Sequence, residues 1–421
     1  MKKRYPIFLG ILLFLPSIFQ AKTLVVREYG RGTLYSNLQQ AHNAATDGDT
    51  IAVDAAADGS WEEGTTVTIS KQVYLTTLQN RKLKLINGLE IKLLNNRKLT
   101  VTDLDSTAIS ISGTGELTIA NCVVKTDLSV PYTVKFNCFK SIVLGKIIAF
   151  YLKAMGNNLK DGVTVLSSNI SNDTILLVGN IFGGSFVIDA EKVLILSNNF
   201  FKINAMSADL YGCNLGAGIF IIKLNNDPAN FSKSIISNNT IWFSGNSAAG
   251  SILRVLNDLE KNSGSLLIFS NSFLSNLNGT INWQASDGCN SGNTYSFLNY
   301  NARGKSLVNN YVALRNHNQY GGSWAVKPTG SKDFYGTSIP AIDSLGRLSG
   351  PDFTNKGLDL PEFSDIDLTR NDIGTEGGPW PISNFWGPNA SKAWVGWLDL
   401  PLKISTPSTP IQIKATGINK D

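Results

Sequence analysis

The sequence predicts an all-β protein, a parallel β-helix with a helical cap at its N-terminal end and a C-terminal segment folded back on it. Short apolar runs rich in Val, Ile, Leu and Phe recur along the chain, each bounded by Asn, Ser or Gly, while helical periodicity is scarce across its middle. After these runs an Asn is repeatedly followed, two residues on, by an apolar residue. The composition fits a long core: 43% of 421 residues are hydrophobic and only 16% charged, which excludes a disordered chain. The 38 glycines follow no three-residue period, which excludes collagen.

The N-terminal segment reads as an export signal over residues 1–21. Lys2, Lys3 and Arg4 form a basic region, Ile7 to Phe14 an apolar one followed by Pro16, and Ala21 is the expected last residue removed. The apolar stretch is short for a membrane span, and no later stretch is long enough to be one. No cysteine lies near Ala21, so a lipid anchor has no support. Export to the cell surface or medium is therefore expected. Without Lys2, Lys3 and Arg4 the chain holds 34 basic and 32 acidic residues, a net charge of +2. That is too near neutral to suggest nucleic acid or an anionic membrane as partner.

The cap is predicted in the run from Ser36 to Ala45. Leu38, Ala41 and Ala45 share one helical face, Ser36 is the predicted N-cap, and His42 is expected at the surface of this helix. Asp47-Gly48-Asp49 then turns into Thr50-Ile51-Ala52-Val53, the predicted first strand of the helix proper. Later strands include Leu117-Thr118-Ile119, Thr174 to Val178, Val193 to Leu196, Ser234 to Ile236, Leu266 to Phe269 and Ser306 to Val308.

The repeat pairs are Asn121/Val123, Asn137/Phe139, Asn180/Phe182, Asn199/Phe201, Asn239/Ile241, Asn271/Phe273 and Asn310/Val312. Intervals of 16 and 19 residues suit one coil, and those of 32 to 43 suit two. Asparagine tolerates left-handed backbone angles and can turn the chain between strands. Stacked on successive coils, its amide can bond to the next and satisfy polar groups that are costly to bury. Cys122 and Cys138 each follow one of these asparagines, 16 residues apart, which predicts proximity on adjacent coils without a disulfide. With Cys213 and Cys289 they are too few for a disulfide scaffold, and His42 and His317 lie too far apart to suggest zinc.

The run Tyr35-Ser36-Asn37-Leu38-Gln39-Gln40-Ala41, followed by Asp47-Gly48-Asp49-Thr50-Ile51, resembles the N-terminal cap of secreted right-handed parallel β-helix proteins of the pectin-lyase-like superfamily. The run from Asp365 to Gly374, approached by Ser338 to Asp343, resembles the C-terminal signature of bacterial exported β-helix proteins with varied anchoring tails. The resemblance implies a right-handed helix over 22–340 and a fold-back and tail over 341–421. It implies a polysaccharide or cell-surface glycan as partner, and a monomer. It carries over no active site. The Asn-Thr-Asp, Asp-Asp and His-Gly elements of polygalacturonases and the Arg-x-Pro-x-x-Arg motif of pectate lyases are absent.

Weaker groupings supply the candidate site residues. Arg315, His317 and Tyr320 lie within six residues and could act as base and platform for a lyase; the alternative is a polar surface loop. Trp242, Trp283 and Trp324 are spaced by 41 residues, so two coils per interval would line their indoles along one face as a glycan track; the alternative is packing under loops. Asp365, Asp367, Thr369, Asn371 and Glu376 echo the spacing of a calcium loop, but Arg370 stands where that loop needs glycine. The alternative is a structural turn with Arg370 paired to Asp367 or Asp372. No other cofactor is expected. Trp386, Trp394 and Trp397 in the tail are expected to pack on the solenoid. Missing catalytic motifs favour a protein that engages polysaccharide without catalysis. The second reading is a polysaccharide lyase, before a glycoside hydrolase, with a non-standard active site.

Overall fold

The structure is a computed structural model. It describes residues 21–27, 34–55, 60–61, 66–78, 82–85, 87–166, 174–190, 194–203, 341–351, 353–357, 364–386, 394–399 and 414–418, and between 220 and 335 the strands and the turn 238–239. The chain winds as a parallel β-solenoid whose strands stack into three walls.

The first wall runs from Thr23–Arg27 through Thr50–Asp54, Val73–Thr77, Leu89–Thr102, Ile109–Ala120, Val134–Phe139, Leu152–Met155, Ile175–Val178, Leu194–Ser197, Ile235–Ser237 and Leu267–Phe269 to Leu314–Asn316. Each strand pairs in parallel with the next. The second wall includes Leu104–Ser106, Val123–Val124, Ile142–Val143, Asn158–Leu159, Ile181–Phe182, Phe200–Ile203, Thr240–Phe243 and the start of Ser272–Ala285. The third includes Leu128–Ser129, Ile147–Ala149, Gly162–Val165, Ser185–Ala190, Phe220–Leu224 and Ser251–Asn257. Alternation of side chains points Val, Ile, Leu and Phe inward from all three walls into one continuous core. Toward its C-terminal half Phe182 stacks on Phe201 at 4.7 Å, with Phe186 edge-on to both.

The corner between the first and second walls is where the asparagines act, in a register offset from the sequence expectation. The left-handed residue of the corner is successively Asp103, Asn121, Lys140, Gly156, Gly179, Asn198 and Asn238, with φ between 45° and 65°. The residue after it turns inward: Cys122, Ser141, Asn157, Asn180, Asn199 and Asn239. There the ladder forms. Asn157 donates Nδ2–H to Asn180 Oδ1 at 2.9 Å, Asn180 to Asn199 at 2.9 Å, and Asn199 to Asn239 at 3.0 Å. Asn180, Asn199 and Asn239 stand where the repeat places them. Asn121 sits one residue earlier, in the left-handed column. Asn137 lies within the strand Val134–Phe139, its amide bonded to Glu116 and Thr118. Asn271 and Asn310 fall outside the described residues. The 43-residue interval from Asn137 to Asn180 spans two coils as expected, through Met155. The later long intervals are single coils: Phe200 pairs directly with Thr240 and Thr240 with Ser272, so the extra residues are excursions from one turn.

The offset places the two cysteines in different columns, although they remain near enough for their charges to interact. Cys122 stands in the inward column beside Ser141, whereas Cys138 pairs with Ile119 and Ala154 in the first wall. Both are free and buried, and burial pushes the Cys122 thiol up to about 12. Cys213 and Cys289 lie outside the described residues.

The cap forms as the helix Leu38–Ala44. Its N-cap is Asn37, whose side chain accepts from Gln40 N–H at 2.8 Å; Ser36 instead donates to Gln40 Oε1. Leu38, Ala41 and Ala45 cover the end of the core as the pattern requires. His42 is not a surface residue. It is buried, its Nε2 accepting from Ser70 N–H at 3.2 Å, while Lys71 caps the helix C-terminus on the carbonyls of His42, Asn43 and Ala45. Burial, then the nearby Lys71 charge, hold His42 below the ordinary histidine value. Such a depressed value contributes stability above the unfolded value of about 6.5 that is lost as pH falls. The urea midpoint is expected to drop between pH 7 and 5 more in the native chain than in His42→Gln; equal drops would show that His42 does not titrate with folding.

The fold-back segment covers the outside of the solenoid at the same corner. Asn198 donates to the carbonyls of Thr375 and Gly377, and Asn238 to Asn371 Oδ1 and Asp372 O. Phe385, on the short helix Ser383–Trp386, packs on a second apolar cluster made by the outward residues Ala120, Phe139, Met155, Leu176, Val178 and Ile195. The tail contributes an antiparallel pair, Trp394–Asp399 with Lys414–Ile418. No described helix is long and apolar enough to cross a membrane.

Candidate functional site

The sequence candidates are not assembled into one site. Arg315 occupies the register position of Leu196, Ile236 and Ile268 in the first wall. Tyr320 occupies that of Phe201, Ile241 and Phe273 in the second. Both columns are core columns where their side chains are described, and they belong to different walls. His317 lies outside the described residues.

The three tryptophans also part, because each long interval is one coil and not two. Trp242 pairs with Lys202 and Leu274, Trp283 with Val255, and Trp324 with Gly279. Trp242 is outward and half-buried, as alternation predicts, with Lys202 Nζ 5.4 Å from its ring centroid.

The residues with calcium-loop spacing have separate partners. Asp365 accepts from Gly378 and Asp372 N–H, Asp367 from Thr369, and Glu376 from Ser383, while Asn371 is buried against Asn238. Arg370 bonds Gly357 O at 2.9 Å, which replaces the expected pairing with Asp367 or Asp372. Burial first, then the charges of Asp372 and Asp367, raise Asp365 to about 6. Among the described residues no group of three His, Cys, Asp or Glu is placed to hold a metal.

A different constellation is assembled on the outward face of the first wall. Parallel register aligns Lys98, Glu116 and Lys135 on three successive strands, with Tyr151, one residue before the fourth, continuing the column. Two residues further along the same strands it aligns Thr100, Thr118, Asn137 and Lys153. Side chains two apart on a strand share a face, so these residues form a double column crossing the strands, in which Asn137 and Tyr151 are buried and the other six are exposed or half-buried. Lys98 Nζ lies 2.8 Å from Glu116 Oε2, and Asn137 Nδ2 donates to Glu116 Oε1 at 2.9 Å and Thr118 Oγ1 at 3.1 Å. The ammonium groups of Lys135 and Lys153 each lie 5.8 Å from the Tyr151 ring centroid, within cation–π range. Three lysines and one glutamate thus belong to this array. An anion with hydroxyl groups matches such a surface: ammonium groups for the charge, the half-buried Thr100 and Thr118 for the hydroxyls, with Asn137 holding Glu116 and Thr118 in place.

Aromatic residues border the array on both sides. Tyr132, 57% exposed, meets Phe150 edge-on at 6.1 Å just before the strands bearing Lys135 and Lys153 begin. On the other side the next outward column, with Phe139 and Met155, is covered by Phe385 and Trp386, whose Nε1–H donates to Gly179 O at 2.9 Å.

No protein-family model matches the chain, and no curated protein matches it. Among solved structures it is similar to the pectate lyase Pel9A at 11% identity and a TM-score of 0.38, over 86% of this chain and 98% of that one. The strand pairing itself defines the parallel β-helix.

Proposed function

We propose that the chain is an exported or cell-surface β-helix protein that engages an acidic polysaccharide along the outward face of its first wall, without catalysis. The observation that carries this reading is the double column of Lys98, Glu116, Lys135 and Tyr151 beside Thr100, Thr118, Asn137 and Lys153. Its exposed and half-buried members Lys98, Thr100, Glu116, Thr118, Lys135 and Lys153 cross four strands, a shape suited to a polymer. The signal-like residues 1–21 support export. A second reading, a polysaccharide lyase, is favoured by one observation: Tyr151 is flanked by two lysines beside a carboxylate on the same wall, groups that could take a proton and neutralise a uronate.

Calorimetric titration with polygalacturonate, run alongside a neutral glucan and followed by ultraviolet absorbance for unsaturated products, separates the readings. Binding of the uronate polymer with no rise in absorbance is expected. The double substitution Lys135→Ala, Lys153→Ala should weaken it by about tenfold or more, on the order of 1.4 kcal/mol. No binding, or equal binding by the double variant, would overturn the assignment of this face. Absorbance that rises with the native chain and not with the double variant would replace binding by lyase chemistry.

A further inference from the structure

Tyr132 is the one large aromatic residue beside the array that is both mostly exposed and held in place. It sits in the turn Pro131–Val134, closed by Val134 N–H to Pro131 O at 3.0 Å. Thr133 ties that turn to the preceding coil, its hydroxyl donating to Gly113 O and its carbonyl accepting from Gly115 N–H at 3.3 Å. Phe150 braces the Tyr132 ring from the next coil. Phe150 is followed in the chain by Tyr151, the ring that carries Lys135 and Lys153, and Lys135 is three residues from Tyr132. A rigid, 57% exposed ring therefore stands at the head of the strand that presents an ammonium group. Exposed rings so placed bind the apolar C–H face of a sugar at low entropic cost, because little side-chain freedom remains to be lost.

We propose that Tyr132 is a stacking platform for a pyranose ring whose acid group, or that of the adjoining residue, meets Lys135, so that this end of the array selects an anionic sugar from other polyanions. The proposal rests on the reading of the array as a glycan-binding face. The lysines supply charge, which any polyanion satisfies; the ring supplies a contact that only a ligand with an apolar face can use. The two contributions differ in salt dependence, since ion contacts are screened and stacking is not.

The test is the affinity of Tyr132→Ala and Lys135→Ala for polygalacturonate and for dextran sulfate, each at low and high salt. Tyr132→Ala should fold normally, because its ring is mostly outside the core. It should lose about fivefold to tenfold in affinity for polygalacturonate, roughly 1–1.4 kcal/mol, at both salt concentrations. Its affinity for dextran sulfate should also fall, but by less, because charge dominates that contact. Lys135→Ala should lose affinity for both polymers at low salt, with the loss shrinking at high salt. Leu144→Ala, an exposed apolar residue just past the second-wall strand Ile142–Val143 and away from the array, should change nothing. An unchanged affinity of Tyr132→Ala for polygalacturonate, with Lys135→Ala impaired, overturns the platform and leaves the lysine face standing. Binding by neither the native chain nor any variant removes the glycan reading and the platform with it. A loss in Tyr132→Ala that is equal for both polymers and vanishes with salt would show that the residue acts only through local charge, which also overturns the proposal.

Discussion

Asn199→Leu is expected to destabilise the solenoid by about 3–5 kcal/mol, against almost no change for an asparagine substituted one residue outside the ladder. Asn199 Oδ1 accepts from both the backbone N–H and the side-chain amide of Asn180, at 3.0 and 2.9 Å. Its own Nδ2 donates to Leu177 O at 2.8 Å and to Asn239 Oδ1 at 3.0 Å. Leucine leaves these partners buried and unpaired, each at about 1–3 kcal/mol with some relief by local shifts. No left-handed strain adds to this cost, because the positive φ belongs to Asn198. The sharpest control is the pair Asn157 and Asn158. Asn157 is fully buried, accepts from Ser141 N–H at 2.8 Å and donates to Cys138 O at 2.7 Å. Asn158 is half-buried, its Oδ1 has no hydrogen-bond partner, and it pairs with Ile142 and Ile181, so leucine suits its column. Denaturant melts of Asn199→Leu, Asn157→Leu and Asn158→Leu decide the matter: similar small shifts in all three would mean that the ladder contributes nothing.

The architecture was legible because a solenoid repeats its physics. Apolar strands, a polar corner and an amphipathic cap recur or sit where the core must be closed, and each leaves a local pattern. The register was less legible. Asparagine serves the corner in two ways, left-handed at Asn121, Asn198 and Asn238, and as an inward ladder amide at Asn157, Asn180, Asn199 and Asn239. A pattern built on the residue type alone merges these roles, and it admits Asn137, which is neither. Glycine takes the left-handed role at Gly156 and Gly179, with the ladder asparagine following it, whereas serine takes the ladder role at Ser141 and Lys140 the left-handed one, so that coil has an asparagine in neither role. Coil length was illegible for a related reason. An excursion of any size can leave the stack at a corner and rejoin it, so an interval of 40 residues is compatible with one coil or two.

This register error hid the lysine face. Counting back five residues from the left-handed position gives Lys98, Glu116, Lys135 and Tyr151; counting back three gives Thr100, Thr118, Asn137 and Lys153. The signal is in the sequence, but only once the left-handed residue anchors the count. Each of these side chains taken alone is an ordinary outward residue of an amphipathic strand. The long-range choice of which outward residues become neighbours is made by stacking. The tryptophan spacing failed for the converse reason: equal distances along the chain are not equal numbers of coils.

Phe385→Ala is expected to loosen the fold-back segment by about 3–4 kcal/mol while leaving the inner core largely intact. The ring is 7% exposed and packs on outward residues of the first wall, Phe139, Met155 and Val178 among them, which form a cluster separate from the inner core. Its position is read by two glycines of the corner. A Cβ on Gly179 would lie 2.2 Å from Phe385 Cδ2, and one on Gly156 would lie 3.0 Å from Cδ1. Both glycines have φ of +65°, which an alanine tolerates at a cost of about 1–2 kcal/mol. Gly179→Ala therefore acts twice, through backbone strain and through collision with the ring, and only the second effect depends on Phe385. A double-mutant cycle separates them. Gly179→Ala should speed proteolytic cleavage within 341–386 strongly in the native background. In the Phe385→Ala background, where the collision is gone, its further effect should fall to the strain alone, giving a coupling of about 1–2 kcal/mol between residues in contact. Additive effects would show that the ring does not sit over Gly179. Cleavage in Phe385→Ala as slow as in the native chain would show that the polar contacts of Asn198, Asn238 and Trp386 hold the fold-back without the ring.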